Sequence, residues 1–160
     1  MGAKPLRKVQ YTIQDLKSFE VFVRCMYSFC KDHTPIIFLY GELGAGKTTF
    51  SRLWLQNCGY KGKVPSPTFT LVQTYTLPTT TLHHFDCYRI SKPEQLTTFD
   101  IEYYLEDKAT ILAEWPENGI TSFCKPDISI HIHTISNQVD ARMIEVEIYN
   151  DKIILPESLF

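Results

Sequence analysis

Glycine is scarce in this chain, with 7 among 160 residues, and no apolar run approaches the length of a membrane-crossing helix. The opening MGAKPLRKVQYTIQDLKSF carries positive charge but neither a long apolar segment nor a small-residue cleavage site, so it does not read as a secretory signal. Cysteine occurs at Cys25, Cys30, Cys58, Cys87 and Cys124, an odd number without paired spacing. A disulfide framework is therefore not expected, and a cytosolic, reducing setting is. Neither sign of charge dominates: Lys and Arg are scattered, and the formal net charge is -2. Such a chain has no broad attraction for nucleic acid, so any connection with RNA must run through a partner. Repeats, low-complexity tracts and linkers rich in Gly, Ser or Pro are missing as well. With 44% hydrophobic residues, residues 1–160 are long enough for one well-buried core and short for two, and a single domain is expected.

Against that scarcity, three glycines crowd into GELGAGKTT at residues 41–49, directly after PIIFLY. Upstream, Leu16, Phe19, Val23, Met26 and Tyr27 recur with helical spacing and predict a helix from Ile13 to about Cys30. Pro35 then punctuates before a buried strand, Ile36 to Tyr40. Downstream, Phe50, Leu53 and Trp54 predict an amphipathic helix opening near Gly46 and ending at Gly59, where glycine suits a left-handed cap. The glycine-rich stretch thus joins a strand to a helix. Gly41, Gly44, Gly46, Lys47 and Thr48 fit GxxxxGK[ST], in which bare backbone curls around phosphate oxygens. Lys47 would reach the β- and γ-phosphates of ATP, and the Thr48 hydroxyl would coordinate Mg²⁺. Glu42, Leu43 and Ala45 complete the phosphate-binding loop, and Thr49 caps the helix or supports the site.

Two strands end in an acid, LHHFD at Asp86 and TILAEW at Glu114. Each acid alone reads equally well as a strand-end turn or cap. Ile111, Leu112 and Ala113 are consecutive apolar residues, as in a parallel strand covered on both faces, which brings Glu114 to the carboxyl end of the sheet beside the loop. There it would serve the metal or the attacking water. The Asp86 strand, carrying His83 and His84, reads as half-exposed. Between loop and acids, Pro65 and Pro67 stiffen a turn around Ser66, and Thr68 to Tyr75 reads as a strand paired across TLPTTT with Leu82 to Tyr88. That turn is either a plain entry to a hairpin or a switch-like loop presenting a hydroxyl to phosphate and Mg²⁺.

GELGAGKTTF, SPTFTLV, HFDCYRI, PEQL and EWPENG, in this order, resemble the bacterial TsaE (YjeE) family, small P-loop ATPases needed for threonylcarbamoyladenosine modification of tRNA. The resemblance is close from Tyr40 to Gly119 and weaker in the helix before and the DISIHIH strand after. It implies ATP phosphates and Mg²⁺ at Gly44, Gly46, Lys47 and Thr48, Thr68 as the switch-like hydroxyl, and Asp86, Glu114 and Trp115 in the hydrolytic site. It also implies TsaB and TsaD as partners, with TsaD acting on tRNA. Glu42 departs from the family's usual Asp, and Asp100 stands where glycine is common and would cap its helix differently. Arg142 sits where the family often has an arginine near the nucleotide, although a lone Arg opening a strand is more often a solvated charge.

The expected fold is α/β: a single-domain P-loop NTPase with a mixed, largely parallel central sheet flanked by helices, a β-hairpin after the switch-like loop, and C-terminal strands. Three functions compete: an ATPase acting on a partner complex, a small-metabolite or nucleoside kinase, and a non-hydrolysing adaptor. The five arginines form no lid-like cluster, which counts against the kinase, and intact Lys47, Thr48 and Glu114 count against the adaptor. Trp115 either fills the core or works at the nucleotide or a partner surface. His131 and His133 share a strand face with no third metal ligand evident, and Cys25, Cys30 and His33 read as core packing.

Overall fold

A computed structural model describes residues 2–158. The strands β1 (Arg7–Ile13), β2 (Ile36–Gly41), β3 (Val72–Thr76), β4 (Thr81–Asp86), β5 (Thr110–Glu114), β6 (Ile128–Ile135) and β7 (Gln138–Ile148) form one sheet in the order β1-β7-β6-β2-β5-β4-β3. The three central pairings, β6 to β2, β2 to β5 and β5 to β4, are parallel. The outer ones are antiparallel. The mixed sheet is as expected, but parallel pairing is confined to its middle. There β2 and β5 read as near-continuous apolar runs because both faces are covered.

On one face lie α1 (Leu16–Cys30) and α2 (Lys47–Asn57), whose Phe19, Phe22, Val23, Phe50 and Trp54 pack on Ile37, Leu39, Leu112, Ile130 and Val146 of the sheet. The other face is covered chiefly over β2, β5 and β4, where Phe38, Phe85, Ile111 and Ala113 meet Leu96, Ile120 and Ile101, the last from α3 (Ile101–Glu106). Over β6, β7 and β1 this second face carries His131, Glu145, Glu147 and Lys8, which are partly or fully exposed.

Several boundaries differ from the sequence reading. Ile13 does not begin a helix but closes β1, where Tyr11 and Ile13 point inward with period two. Asp15 caps α1 instead, accepting from Ser18 N at 2.8 Å. That bond to the Ser18 backbone, with a second from the Ser18 hydroxyl, lowers the Asp15 pKa. The strand expected from Thr68 begins only at Val72: Leu71 has φ +66°, and the Thr68 hydroxyl is committed to Asp86 rather than to a strand. The hairpin itself forms as expected, Val72 opposite Phe85 through Thr76 opposite Thr81. Gly59 has φ +93° just beyond α2, in keeping with a left-handed cap. Asp100 takes φ +53° and gives α3 no side-chain cap, so an acid holds a backbone position that suits glycine.

His83 and His84 are not half-exposed, since both are buried. Their polar atoms find partners inside: His83 meets Thr74 at 2.8 Å and Asp107 at 3.1 Å, and His84 meets Glu114. Cys30 is buried as expected but His33 is exposed and packs no core. No disulfide forms among the described residues. Burial pushes the thiols of Cys30 and Cys87 up to about 12, and those of Cys58 and Cys124 to about 11, which leaves them unreactive.

Candidate functional site

At the carboxyl ends of β2, β4 and β5 a cleft of about 280 Å³ opens between Leu43, Gly44, Gly46, Lys47, Thr48 and Thr49 on one side and Ser66, Thr68, Asp86, Tyr88, Glu114 and Trp115 on the other. Larger hollows exist, one of about 730 Å³ lined by Phe38, Tyr40, Cys124 and Tyr149 among others, but none gathers as many charged and hydroxyl groups. The loop after β2 owes its course to two glycines. A Cβ on Gly41 would lie 2.8 Å from the carbonyl oxygen of Ile132 on β6, and Gly46, which opens α2, has φ +121°. The first N–H groups of a helix have no partners within it, so the start of α2 presents donors and a partial positive charge to the cleft.

Lys47 is 5% exposed and folds back on its own loop. Its ammonium donates to the carbonyls of Gly41 (2.5 Å) and Glu42 (2.9 Å) and lies 4.1 Å from the Trp115 ring centre. Burial lowers its pKa, while Glu114, Glu117 and Asp86 pull the other way. Trp115 reaches this place through φ +55°, just past the end of β5, and its ring lies 5.0 Å from that of Tyr88.

The two acids stand side by side, because β4 and β5 pair in parallel with Asp86 opposite Glu114. Glu114 is almost fully enclosed. Its Oε2 accepts from the Thr48 hydroxyl at 3.0 Å, and its Oε1 lies 2.7 Å from His84 Nε2 and 3.4 Å from the Ser51 hydroxyl. Since Thr48 donates its one proton to Glu114, its lone pairs are free to face a cation. Asp86 anchors the loop before β3: Oδ2 accepts from the hydroxyls of Thr68 (2.8 Å) and Ser66, and Oδ1 from the Tyr88 backbone N–H at 2.9 Å. The oxygen-only set of Thr48, Glu114 and Asp86 beside a helix start suits a hard cation such as Mg²⁺ together with an anion.

Thus Leu43, Gly44, Gly46, Lys47, Thr48, Thr49, Thr68, Asp86, Glu114 and Trp115 line one cleft. Glu42 and Ala45 belong to the loop without lining it. Arg142 is not a solvated charge. From β7 its Nε donates to Ala45 O at 2.8 Å and its Nη1 to Val139 O at 2.7 Å, so it grips the back of the loop and holds it to the start of β7. Sequence reasoning missed His84 and Ser51 behind Glu114. No local pattern marks them, because their partner lies on another strand and becomes their neighbour only once the sheet pairs.

The other histidine cluster also changes. His131 has acidic neighbours that the sequence hid: its Nε2 is 3.3 Å from Glu147, and one ligand atom each from His131, Glu145 and Glu147 lie within 4.8 Å of one another. The chain's own cation occupies this group, with Lys8 Nζ 2.9 Å from Glu145 and 3.6 Å from Glu147.

A family model described as "Threonylcarbamoyl adenosine biosynthesis protein TsaE" matches residues 13–144. The Haemophilus influenzae protein named "tRNA threonylcarbamoyladenosine biosynthesis protein TsaE" is 40% identical over 125 residues, 78% of this chain and 77% of that one. The Rickettsia prowazekii protein of the same name is 33% identical over 128 residues, 79% of this chain and 88% of that one. The crystal structure of Bacillus subtilis YdiB superposes with a TM-score of 0.72 at 21% identity, covering 92% of this chain and 89% of that chain, a likeness of fold.

Proposed function

This chain belongs to the TsaE family of threonylcarbamoyladenosine biosynthesis proteins, and from that premise we propose that it is a Mg²⁺-dependent ATPase acting on the TsaB–TsaD pair, meeting tRNA only through that complex. The observation that carries the reading is the 3.0 Å contact between Thr48, at the start of α2, and Glu114, at the end of β5. It joins a phosphate-binding type of loop to a buried carboxylate in one cleft.

Bound with Mg²⁺, ATP supplies a phosphoanhydride bond whose cleavage can drive a partner between states. The chain's residues divide the remaining work. Backbone N–H groups of the loop and of the first turn of α2 would hold the phosphate oxygens, apart from that of Ala45, which donates to the Glu42 carbonyl at 3.0 Å. Lys47, whose ammonium now meets the Gly41 and Glu42 carbonyls beside the Trp115 ring, would supply the positive charge for the phosphates. Thr48, its hydroxyl proton donated to Glu114, would hold the metal through its oxygen. Glu114 would orient the metal or the attacking water, and Asp86 fixes the loop that carries Ser66 and Thr68. Arg142 keeps the cradle in shape from behind. A cytosolic setting suits the unreactive buried thiols, and no helix of the described residues is long and apolar enough to cross a membrane.

Phosphate release from ATP, measured with and without TsaB–TsaD and with a panel of small acceptors, tests the proposal. Release stimulated by the pair and indifferent to acceptors is expected. Transfer to an acceptor would make the protein a kinase instead. Tight nucleotide binding with no release under any condition would make it an adaptor.

A further inference from the structure

We propose that His84 is a positioning residue for Glu114: its Nε2–H pins one carboxylate oxygen so that the other stays turned to Thr48 and the cleft. The inference deepens the ATPase reading and rests on it for its consequences, but its geometry stands alone. His84 is fully buried in the middle of β4, and Nε2 lies 2.7 Å from Glu114 Oε1. Against a carboxylate at that distance, Nε2 must be the donor. That assigns the single proton of the neutral ring and leaves Nδ1 bare. His84 Nδ1 is indeed a buried side-chain nitrogen with no hydrogen-bond partner. A proton there would be a buried donor with nothing to accept it, so the surroundings favour one tautomer.

The sheet explains why this ring reaches that oxygen. His84 stands opposite Leu112, and Glu114 lies two residues further along β5 on the same face. β4 is paired on both sides, to β3 and to β5, which holds the ring's backbone still. A glutamate's last torsion is soft, and Thr48 alone would hold only one of its oxygens. Ser51, at 3.4 Å, is shared with the Lys47 carbonyl at 3.2 Å and is the weaker second anchor. His84 is absent from the lining of the cleft, so it acts through Glu114 and not on the substrate.

The test uses the full chain and three variants: His84→Gln, whose amide nitrogen reaches about as far as Nε2; His84→Asn, which falls short; and His84→Leu, which fills the space without a donor. With ¹⁵N-labelled imidazole, NMR of the unliganded protein should show the Nε2–H tautomer, with an Nε2 resonance that moves in Glu114→Gln. In turnover, His84→Leu and His84→Asn should lower kcat about 10- to 100-fold, the range for a lost partner behind a site ligand, with KM for ATP within about twofold. His84→Gln should recover most of the rate. The Nδ1–H tautomer, or a folded His84→Leu with the parent's kcat, would overturn the proposal. If the parent itself releases no phosphate, the ATPase reading fails, and the tautomer with its response to Glu114→Gln still decides the role of His84. The same NMR arm decides if the leucine variant does not fold.

Discussion

His84 lies 2.7 Å from Glu114 and His131 lies 3.3 Å from Glu147, each pair spanning neighbouring strands of one sheet. What separates them is cover. The side chains of His84 and Glu114 are 0% and 3% exposed beneath α2, with Thr48 and Ser51 closing the remaining side. Those of His131 and Glu147 are 27% and 17% exposed on the open face, where Lys8 and Tyr149 also reach the Glu147 carboxylate. A sealed contact to a charged group holds one geometry and is costly to leave unmade, whereas an exposed ion pair is screened and contributes little. Side-chain chemistry alone therefore does not mark a site. The covering element decides whether an acid beside a histidine is a positioned tool or a solvated surface group.

The sharpest contrast is in turnover. Glu114→Gln should slow ATP hydrolysis by about 10²- to 10⁴-fold while much of the nucleotide affinity survives, and Glu147→Gln should leave the rate unchanged. Equal losses in the two variants, measured by phosphate release and binding on the same preparations, would erase the distinction. Next in size is stability. Phe22→Ala, beneath the covered face, should cost about 3–5 kcal/mol by denaturant melts, and His131→Ala, on the open face, within about 0.5 kcal/mol.

A smaller effect is expected at Arg142, whose bonds to Ala45 and Val139 join the loop to the open-face strands. Arg142→Ala should weaken nucleotide binding roughly tenfold, about the worth of one charged hydrogen bond, and calorimetric titration would read it. Unchanged affinity would return Arg142 to the surface.

The smallest concerns acid. Burial raises the Glu147 pKa, but hydrogen bonds from Tyr149 and His131 and the charge of Lys8 outweigh it and hold the carboxyl below its ordinary value. A lowered folded value contributes stability that is present above the unfolded pKa and lost as pH falls through the folded one. Glu147→Gln should therefore flatten the acid side of the stability curve slightly below about pH 5 and change little at neutral pH. Urea midpoints across that range would check it, and identical curves for both proteins would contradict it.

Much of the covered half was legible in the sequence. The strand–loop–helix unit around Lys47, the buried strand leading to Glu114 and the hairpin were all marked by apolar period, glycine density or proline punctuation. Those signals are local, and a continuously apolar strand such as Ile111–Ala113 declares that both its faces are covered. The open half hid more. Ile13, two residues before the cap at Asp15, reads as the start of the helix although it closes β1, and the acidic partners of His131 face it only once β7 folds back antiparallel on β6. His84 was misjudged for the same reason: a polar residue in a strand looks exposed until the partner that satisfies it is known. Arg142 gained its place only when β7 brought it behind a loop almost a hundred residues earlier in the chain.

The central claim is that this cleft binds ATP for hydrolysis, with Lys47 serving phosphate and not packing. The most direct measurement is phosphate release from Mg²⁺-ATP by the parent and by Lys47→Ala, each shown by melting to be folded and each assayed with TsaB–TsaD present. The account predicts release by the parent and loss of binding or turnover in Lys47→Ala at near-parental stability. A folded Lys47→Ala that releases phosphate at the parent's rate would contradict it.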